Sequence, residues 1–311
     1  EAGTGLAWSL YKPEVAERLA RLAVEVTGIG RVDSKITKNQ RKTFGTLRDL
    51  LRARSTGIIE ELPERGLVKW AKPVGVVAAI TPSTNPQATP VNKAMMAVKG
   101  GNAIIIAPPP SAWAATEPAV AGMRAELARI GLPEDLVQIL PAPVTREATQ
   151  RLMEMCDLVA ATGSQANVKA AYRSGTPALG VGLGNAPVLI AAPADLDEAA
   201  RKIMLSKTFD HATSCSSENA VVIVDAVYDR AIEALEKQGG YMASPPERAR
   251  IVERLWIDGK LNRAVIAQGP EALVEVFELG PKAKGCTFVM AEETGIGKAH
   301  PLSGEKLSLV L

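Results

Sequence analysis

Hydrophobic positions along this 311-residue chain change their spacing several times, and each change marks an element. Val15, Leu19, Leu22 and Val26 recur at helical intervals behind Pro13, a good first-turn residue, and predict an amphipathic helix over residues 13–26. Gly28 and Gly30 stop it. The basic stretch 35–42, read as a solvated face, leads a further helical segment to about Arg54. Residues 66–72 alternate as an edge strand does, and after Pro73 the run from Val74 to Ile80 is apolar throughout, as in a parallel strand buried on both faces. From there strand, loop and helix alternate. Helices are predicted over 90–98, 112–130, 145–155 and 165–173, and strands over 103–107, 136–140, 157–161 and 186–191. Asp195 then caps a helix running to Ser206. Beyond residue 215 the alternation resumes, with strands over 220–224 and 287–291 and helices over 226–237 and 246–255.

This alternation predicts an α/β fold: a doubly wound parallel-sheet cofactor domain over 1–207 and a second α/β catalytic domain over 208–311, with the boundary near Lys207. Doubly wound sheets bind ligands at the carboxyl ends of their strands. The loops to examine are therefore 81–86, 108–111, 162–164 and 180–185.

Composition narrows the class. Apolar residues make up 47% and charged residues 23%, with a formal charge of +2, so neither a nucleic-acid-binding surface nor a membrane partner is implied. No apolar run approaches the roughly 20 residues that span a bilayer, and no signal peptide opens the chain. The start at Glu1 suggests a trimmed terminus. Three scattered cysteines, Cys156, Cys215 and Cys286, argue against a disulfide framework and for a reducing, cytoplasmic setting. With only His211 and His300, no metal site is expected.

Chemistry is then left to a thiol, carboxylates, amides and an organic cofactor. Cys215 lies in the small, polar run Ala212-Thr213-Ser214-Cys215-Ser216-Ser217, which reads equally as an accessible nucleophile or as a structural cysteine. Asn85, between Pro82 and Pro86 at the end of a buried strand, is an aimed amide donor of the kind an oxyanion needs, or an Asn that satisfies a turn. Thr162-Gly163-Ser164 opens a helix whose N-terminus favours phosphate. Gly180-Val181-Gly182-Leu183-Gly184-Asn185 lacks the third glycine of a dinucleotide fingerprint. Cys156 and Cys286 read as core fillers, His211 as a loop stabiliser or a group tuning the thiol, and His300 as a surface residue.

Taken in order, Asn85 in its proline-flanked loop, Thr162-Gly163-Ser164, the 180–187 segment, the cysteine loop and Gly304-Glu305-Lys306-Leu307-Ser308 resemble the aldehyde dehydrogenase superfamily, in its CoA-acylating branch, over nearly the whole chain. The cysteine loop is most similar to the sulfoacetaldehyde-type members. The resemblance implies Cys215 as nucleophile and Asn85 as oxyanion amide. It implies cofactor contacts from Thr81, Pro82, Ser83, Pro108, Pro109, Gly163, Ser164, Val181, Gly182, Leu183, Glu305 and Leu307, with Glu305 holding the nicotinamide ribose. NAD and coenzyme A are the implied cofactor and co-substrate, a small aldehyde the substrate, and a homo-dimer or homo-tetramer the assembly, through a strand near 62–72 that carries Trp70.

Two departures sharpen this. Hydrolytic members place a water-activating Glu where this chain has Val181, so acyl transfer to the CoA thiol is expected rather than hydrolysis. They also place a ribose-binding Lys where this chain has Pro108-Pro109-Pro110, which points to NAD rather than NADP. The polar Thr213, Ser214, Ser216 and Ser217 suit a polar or anionic aldehyde such as sulfoacetaldehyde, with acetaldehyde, propionaldehyde and succinate semialdehyde open. The family continues well past the position of Leu311, so the catalytic domain is expected to be C-terminally incomplete and the piece poorly active and poorly assembled by itself. The rival readings are a hydrolytic enzyme releasing free acid and a non-catalytic assembly module with the same fold.

Overall fold

The computed structural model describes residues 1–311, which divide into two compact units: Glu1–Gly28 with Val32–Gly182, and Ile29–Arg31 with Leu183–Leu311. The division falls at Gly182 and Leu183, not near Lys207. The reason is packing: Ile190, Ala200 and Ile203 are buried in the same core as Phe277 and Phe288.

In the first unit, α1 (Ala2–Tyr11), α2 (Pro13–Thr27) and α3 (Val32–Arg52) precede an antiparallel ribbon of β1 (Gly57–Leu62) and β2 (Leu67–Ala71). There follow β3 (Val76–Ile80), α4 (Ala88–Lys99), β4 (Ala103–Ala107), α5 (Trp113–Arg129), β5 (Val137–Ile139), α6 (Arg146–Met155), β6 (Leu158–Thr162), α7 (Gln165–Arg173) and β7 (Ala178–Val181). The five strands from β3 onward form a parallel sheet in the order β5-β4-β3-β6-β7. Strand β3 sits in the middle because both its faces are apolar. Val77 and Ala79 enter a core with Leu6, Leu10, Met95, Ile104 and Met123, while Ala78 and Ile80 enter another with Leu152, Met153 and Val159. Each large side chain so buried contributes roughly 1.5–3 kcal/mol, and the two-sided demand makes the strand's register unambiguous.

Three elements of this unit, α1, β1 and β7, are not among those the sequence pattern predicts. Helix α1 contains Gly3 and Gly5, poor helix formers. It forms because Leu6 and Leu10 are wholly buried and share a core with Met123 and Leu127 of α5. Strand β7 takes in Gly180 and Val181, so the expected 180–185 loop begins two residues later, at Gly182. A Cβ at Gly180 would lie 2.6 Å from Val168, so β7 can pair with β6 only with glycine there.

The second unit contains β8 (Ala186–Ile190), α8 (Leu196–Thr208), β9 (Glu218–Ile223), α9 (Tyr228–Lys237), β10 (Gly240–Met242), α10 (Pro245–Leu255), a short hairpin of β11 (Trp256–Ile257) and β12 (Lys260–Leu261), α11 (Pro270–Val276) and β13 (Phe288–Met290). Strands β8 and β9 pair in parallel, as do β10 and β13. Asp195 caps α8 as its position predicts, accepting from the Glu198 N–H at 3.0 Å. No helix of either unit is long and apolar enough to cross a membrane.

Glu247 holds the second unit's interior together at one point. Its carboxylate accepts hydrogen bonds from the Ser244 hydroxyl at 2.6 Å, the Ser244 and Gly280 N–H groups at 2.8 Å, and Tyr241 Oη at 2.9 Å. Burial pushes this carboxyl up, but those donors outweigh it and hold the group at about 2. A pKa lowered on folding adds stability above the ordinary value of 4.5 and loses it as pH falls towards 2. Glu247→Gln is therefore expected to lose about 1–3 kcal/mol at pH 7. In urea titrations at pH 7, 4.5 and 3, the wild-type advantage should shrink with acidity; a constant gap would contradict this account.

Candidate active site

In the first unit, the carboxyl ends of β3, β4 and β6 open onto a cavity of about 870 Å³. Thr81, Pro108, Pro109 and Ser164 line it as their loops predict, joined by Thr145, Arg146 and Asn167. Two helices begin here. Ser164 caps α7 by accepting from the Asn167 N–H at 3.3 Å, and Thr145 caps α6 by accepting from the Ala148 N–H at 3.1 Å. Free N–H groups and the positive ends of both helix dipoles suit a phosphate. Thr81 Oγ1 is buried without a hydrogen-bond partner. Pro82, Ser83, Gly163, Val181 and Gly182 do not line this cavity. Val181 ends β7, and bare Gly182 makes room for Gln165, whose amide would lie 2.8 Å from a Cβ there.

Asn85 is half-buried and also stands apart from that cavity. It borders a small cleft with Lys35, Lys38 and Asn39 of α3. Lys93, which the sequence pattern did not single out, supports the strand ends from below. Its ammonium donates to the carbonyls of Ile80 at 2.8 Å and Ala160 at 2.6 Å, fastening the last residue of β3 to β6. Burial pushes Lys93 down to about 7. The available signal was a lone cation in the otherwise apolar run from Val91 to Val98, apart from Asn92.

In the second unit, α8 ends at Thr208 and the chain turns sharply. Asp210, His211 and Ala212 all take left-handed backbone angles, with φ of 51°, 50° and 59°. Asp210 holds this costly turn from its centre: it is fully buried and accepts from the Arg31 N–H at 2.7 Å and from Thr213 Oγ1 at 2.6 Å. The turn lifts the next residues outward, and Cys215 is exposed, whereas Cys156 is buried and Cys286 half-buried. Burial pushes the Cys156 thiol up, with Asp157 adding to it, and raises Cys286 likewise beside Glu271. Of the polar loop residues, Thr213 is spent on Asp210 and Ser217 is buried, leaving Ser214 and Ser216 towards the surface. Burial also lowers the His211 imidazole, against a hydrogen bond to the Ala267 backbone, so His211 ties the turn to that segment. His300 Nδ1 lies 2.9 Å from Glu293.

Glu305 comes to the thiol through Gly184. A Cβ on Gly184 would lie 3.0 Å from the Cys215 carbonyl oxygen, 3.6 Å from Cys215 Cβ and 3.5 Å from Glu305 Oε1. Burial raises the Glu305 carboxyl, against a hydrogen bond from the Gly184 N–H. Leu183 is exposed, and Leu307, at a left-handed φ of 44°, accepts from the Ala267 N–H at 2.8 Å. Two further residues escaped the sequence pattern. Lys207 and Lys306 are both fully buried. Lys207 Nζ donates to the Glu218 carbonyl at 2.6 Å, and Lys306 Nζ to the carbonyls of Asn219, Leu302 and Gly304.

Comparison with known proteins matches residues 13–242 to the aldehyde dehydrogenase family. An acylating sulfoacetaldehyde dehydrogenase of Cupriavidus necator is 50% identical over 306 residues, which cover 98% of this chain and 62% of that protein. The chain thus spans about 62% of the length of that curated relative. An acetylating aldehyde dehydrogenase from Geobacillus thermoglucosidasius superposes with a TM-score of 0.92 at 37% identity, covering 100% of this chain and 68% of that one. A Rhodopseudomonas palustris propionaldehyde dehydrogenase, solved with bound CoA and an acylated cysteine, superposes with a TM-score of 0.83 at 26% identity, covering 99% of this chain and 70% of that one.

The Lys93 contacts make a prediction of their own. The group sits at about 7 when folded and at 10.5 ordinarily, so between those values the unfolded chain binds the extra proton and stability rises with pH. Below about 7 the contribution is flat. Lys93→Met removes a hydrogen bond from each of two carbonyls and should cost about 1–3 kcal/mol. Denaturation of both proteins from pH 6 to 9.5 should show the gap widening above neutrality; a gap that narrows would refute the assignment.

Proposed function

This chain belongs to the aldehyde dehydrogenase family, and on that premise we propose that it carries the thiol chemistry of a CoA-acylating aldehyde dehydrogenase. The reaction is aldehyde, NAD and CoA to acyl-CoA and NADH, reversibly, through a thioester on Cys215. The observation that carries this reading is the placement of Cys215: an exposed thiol on a buried, rigid turn, with the half-buried Glu305 carboxylate reaching the same glycine. The likeness to acylating relatives supports the same branch.

The cavity at the strand ends fits the adenosine and diphosphate of NAD. Its volume of about 870 Å³ lies in the usual range of ligand sites. Thr81 and Ser164 would face the diphosphate, Pro108 and Pro109 would wall the adenosine, and Glu305 would hold the nicotinamide ribose. When bound, NAD supplies the hydride acceptor.

The protein's own groups do the rest. Cys215 sulfur adds to the aldehyde carbon, its proton passing to solvent, and the resulting oxyanion takes a hydrogen bond from a backbone N–H, with the Asn85 amide the further donor that the family resemblance implies. Loss of hydride leaves the acyl group on Cys215 as a thioester. The CoA thiol then attacks that carbonyl, and Cys215 departs as thiolate. Val181 offers no carboxylate to activate water, so the thioester survives until the thiol arrives.

Sulfoacetaldehyde is our first candidate substrate, on the strength of the Cupriavidus necator relative. Ser214 and Ser216 are the loop hydroxyls left to meet its anionic end. We also assign subunit association, as a homo-dimer or homo-tetramer, to the β1–β2 ribbon. It exposes Leu67, Val68 and Trp70 at 51%, 51% and 58%, and a two-stranded ribbon is marginal without support. Cytoplasmic residence follows from the same reading.

The test is product analysis with sulfoacetaldehyde, acetaldehyde, propionaldehyde and succinate semialdehyde in turn. NADH formation should require CoA and yield acyl-CoA by mass spectrometry, and Cys215→Ala should abolish it by at least about 1000-fold. Acid formed without CoA would establish the hydrolytic reaction instead. If no product forms and Cys215 alkylates no faster than Cys286, the fold serves a non-catalytic role.

A further inference from the structure

The two wholly buried lysines of the second unit have different attachments. Lys207, one residue before the end of α8, donates to the carbonyl of Glu218, the first residue of β9. It therefore staples together the two stems of the thiol loop. Lys306 instead joins segments far apart in sequence. Its ammonium takes the carbonyls of Leu302 at 2.6 Å and Gly304 at 3.2 Å, in the segment that leads into Glu305, together with that of Asn219 in β9. Its backbone N–H donates to Asn219 Oδ1 at 3.1 Å. The line continues from Asn219 Nδ2 to the Ser217 carbonyl at 3.3 Å, and from the Ser217 N–H to the Ser214 carbonyl at 2.9 Å. An unbroken run of hydrogen bonds thus leads from the residue after Glu305 to the residue before Cys215.

We propose that Lys306 is a positioning residue for hydride transfer, fixing the separation between the Cys215 thiol and the Glu305 carboxylate. The proposal rests on the reading above, in which Glu305 holds the ribose. A methionine of similar length would be cheaper to bury than an ammonium, but it could not satisfy three inward-turned carbonyls. Burial lowers Lys306 only to about 8, so it remains charged on those carbonyls near neutrality. Hydride transfer needs the carbon on Cys215 and the acceptor in near contact, and a displacement of about 1 Å costs about 100-fold. Acylation of Cys215 by an activated ester makes no use of Glu305 and should tolerate that displacement.

The experiment compares Lys306→Met, Asn219→Ala and, as control, Lys207→Met in the full-length protein. NADH formation from aldehyde, burst acylation by p-nitrophenyl acetate, hydrogen exchange and thermal unfolding are measured for each. Lys306→Met should lose about 100-fold in NADH formation while keeping acylation within about 3-fold. Exchange should rise in residues 302–308 and 214–220 together. Asn219→Ala keeps the ammonium and should show the same split at about 10-fold, which decides the matter if Lys306→Met fails to fold. Lys207→Met should slow both reactions alike and leave 302–308 protected. Equal loss in both reactions for Lys306→Met or Asn219→Ala, or loosening of only one segment, overturns the proposal. A wild-type chain that acylates Cys215 but makes no NADH overturns the parent reading instead, and paired or unpaired loosening still decides the tie.

Discussion

Three successive residues in left-handed conformation, Asp210, His211 and Ala212, are the constraint from which the candidate site follows. Each costs roughly 1–2 kcal/mol relative to ordinary backbone. They persist because the Asp210 carboxylate, fully buried, is met by a backbone N–H and a hydroxyl that leave it no better arrangement. The strain has a geometric result. Past these three residues Cys215 emerges while its neighbours Thr213 and Ser217 stay inside.

The support beneath that turn is polar rather than apolar. Lys207 and Lys306 lie close enough for the charge of Lys306 to add to the burial that holds Lys207 well below its ordinary pKa. Apolar side chains of the same volume would remove that repulsion and its desolvation cost. They would also leave the carbonyls of Glu218, Asn219, Leu302 and Gly304 buried and unpaired, and each such group costs about 1–3 kcal/mol. Loops that carry chemistry are short of regular hydrogen bonds by nature, and here two ammonium groups provide them. The first unit repeats the device on a smaller scale, with Lys93 on the carbonyls of Ile80 and Ala160 at the strand ends.

The departures from the hydrolytic pattern belong to the same picture. Val181 ends β7 in the first unit, and in the second unit the Glu305 carboxyl is raised by burial, against a hydrogen bond from the Gly184 N–H. On the reading proposed above, the absence of a carboxylate at Val181 would leave a thioester on Cys215 for a sulfur nucleophile.

The sequence by itself determined the kinds of element and most of their order. Period-two and all-apolar runs fix strands such as β3 and β4, and the 3.6-residue period fixes α2 and α7, because these patterns reflect how many faces must be buried. It also marked Cys215 and the loops at the strand ends as places to examine, because small and proline-bounded loops can leave a side chain accessible. Only the tertiary structure decided which side the border segments joined. Strand β8 and α8 went to the second core, and α1, with two glycines and no helical signal, was folded by what it packs against. Only there, too, could Lys207 and Lys306 be told from Lys202, which is exposed on the same helix as Lys207. A lysine's burial is set by carbonyls that arrive from elsewhere, here across 87 residues between Asn219 and Lys306, and no local pattern records them.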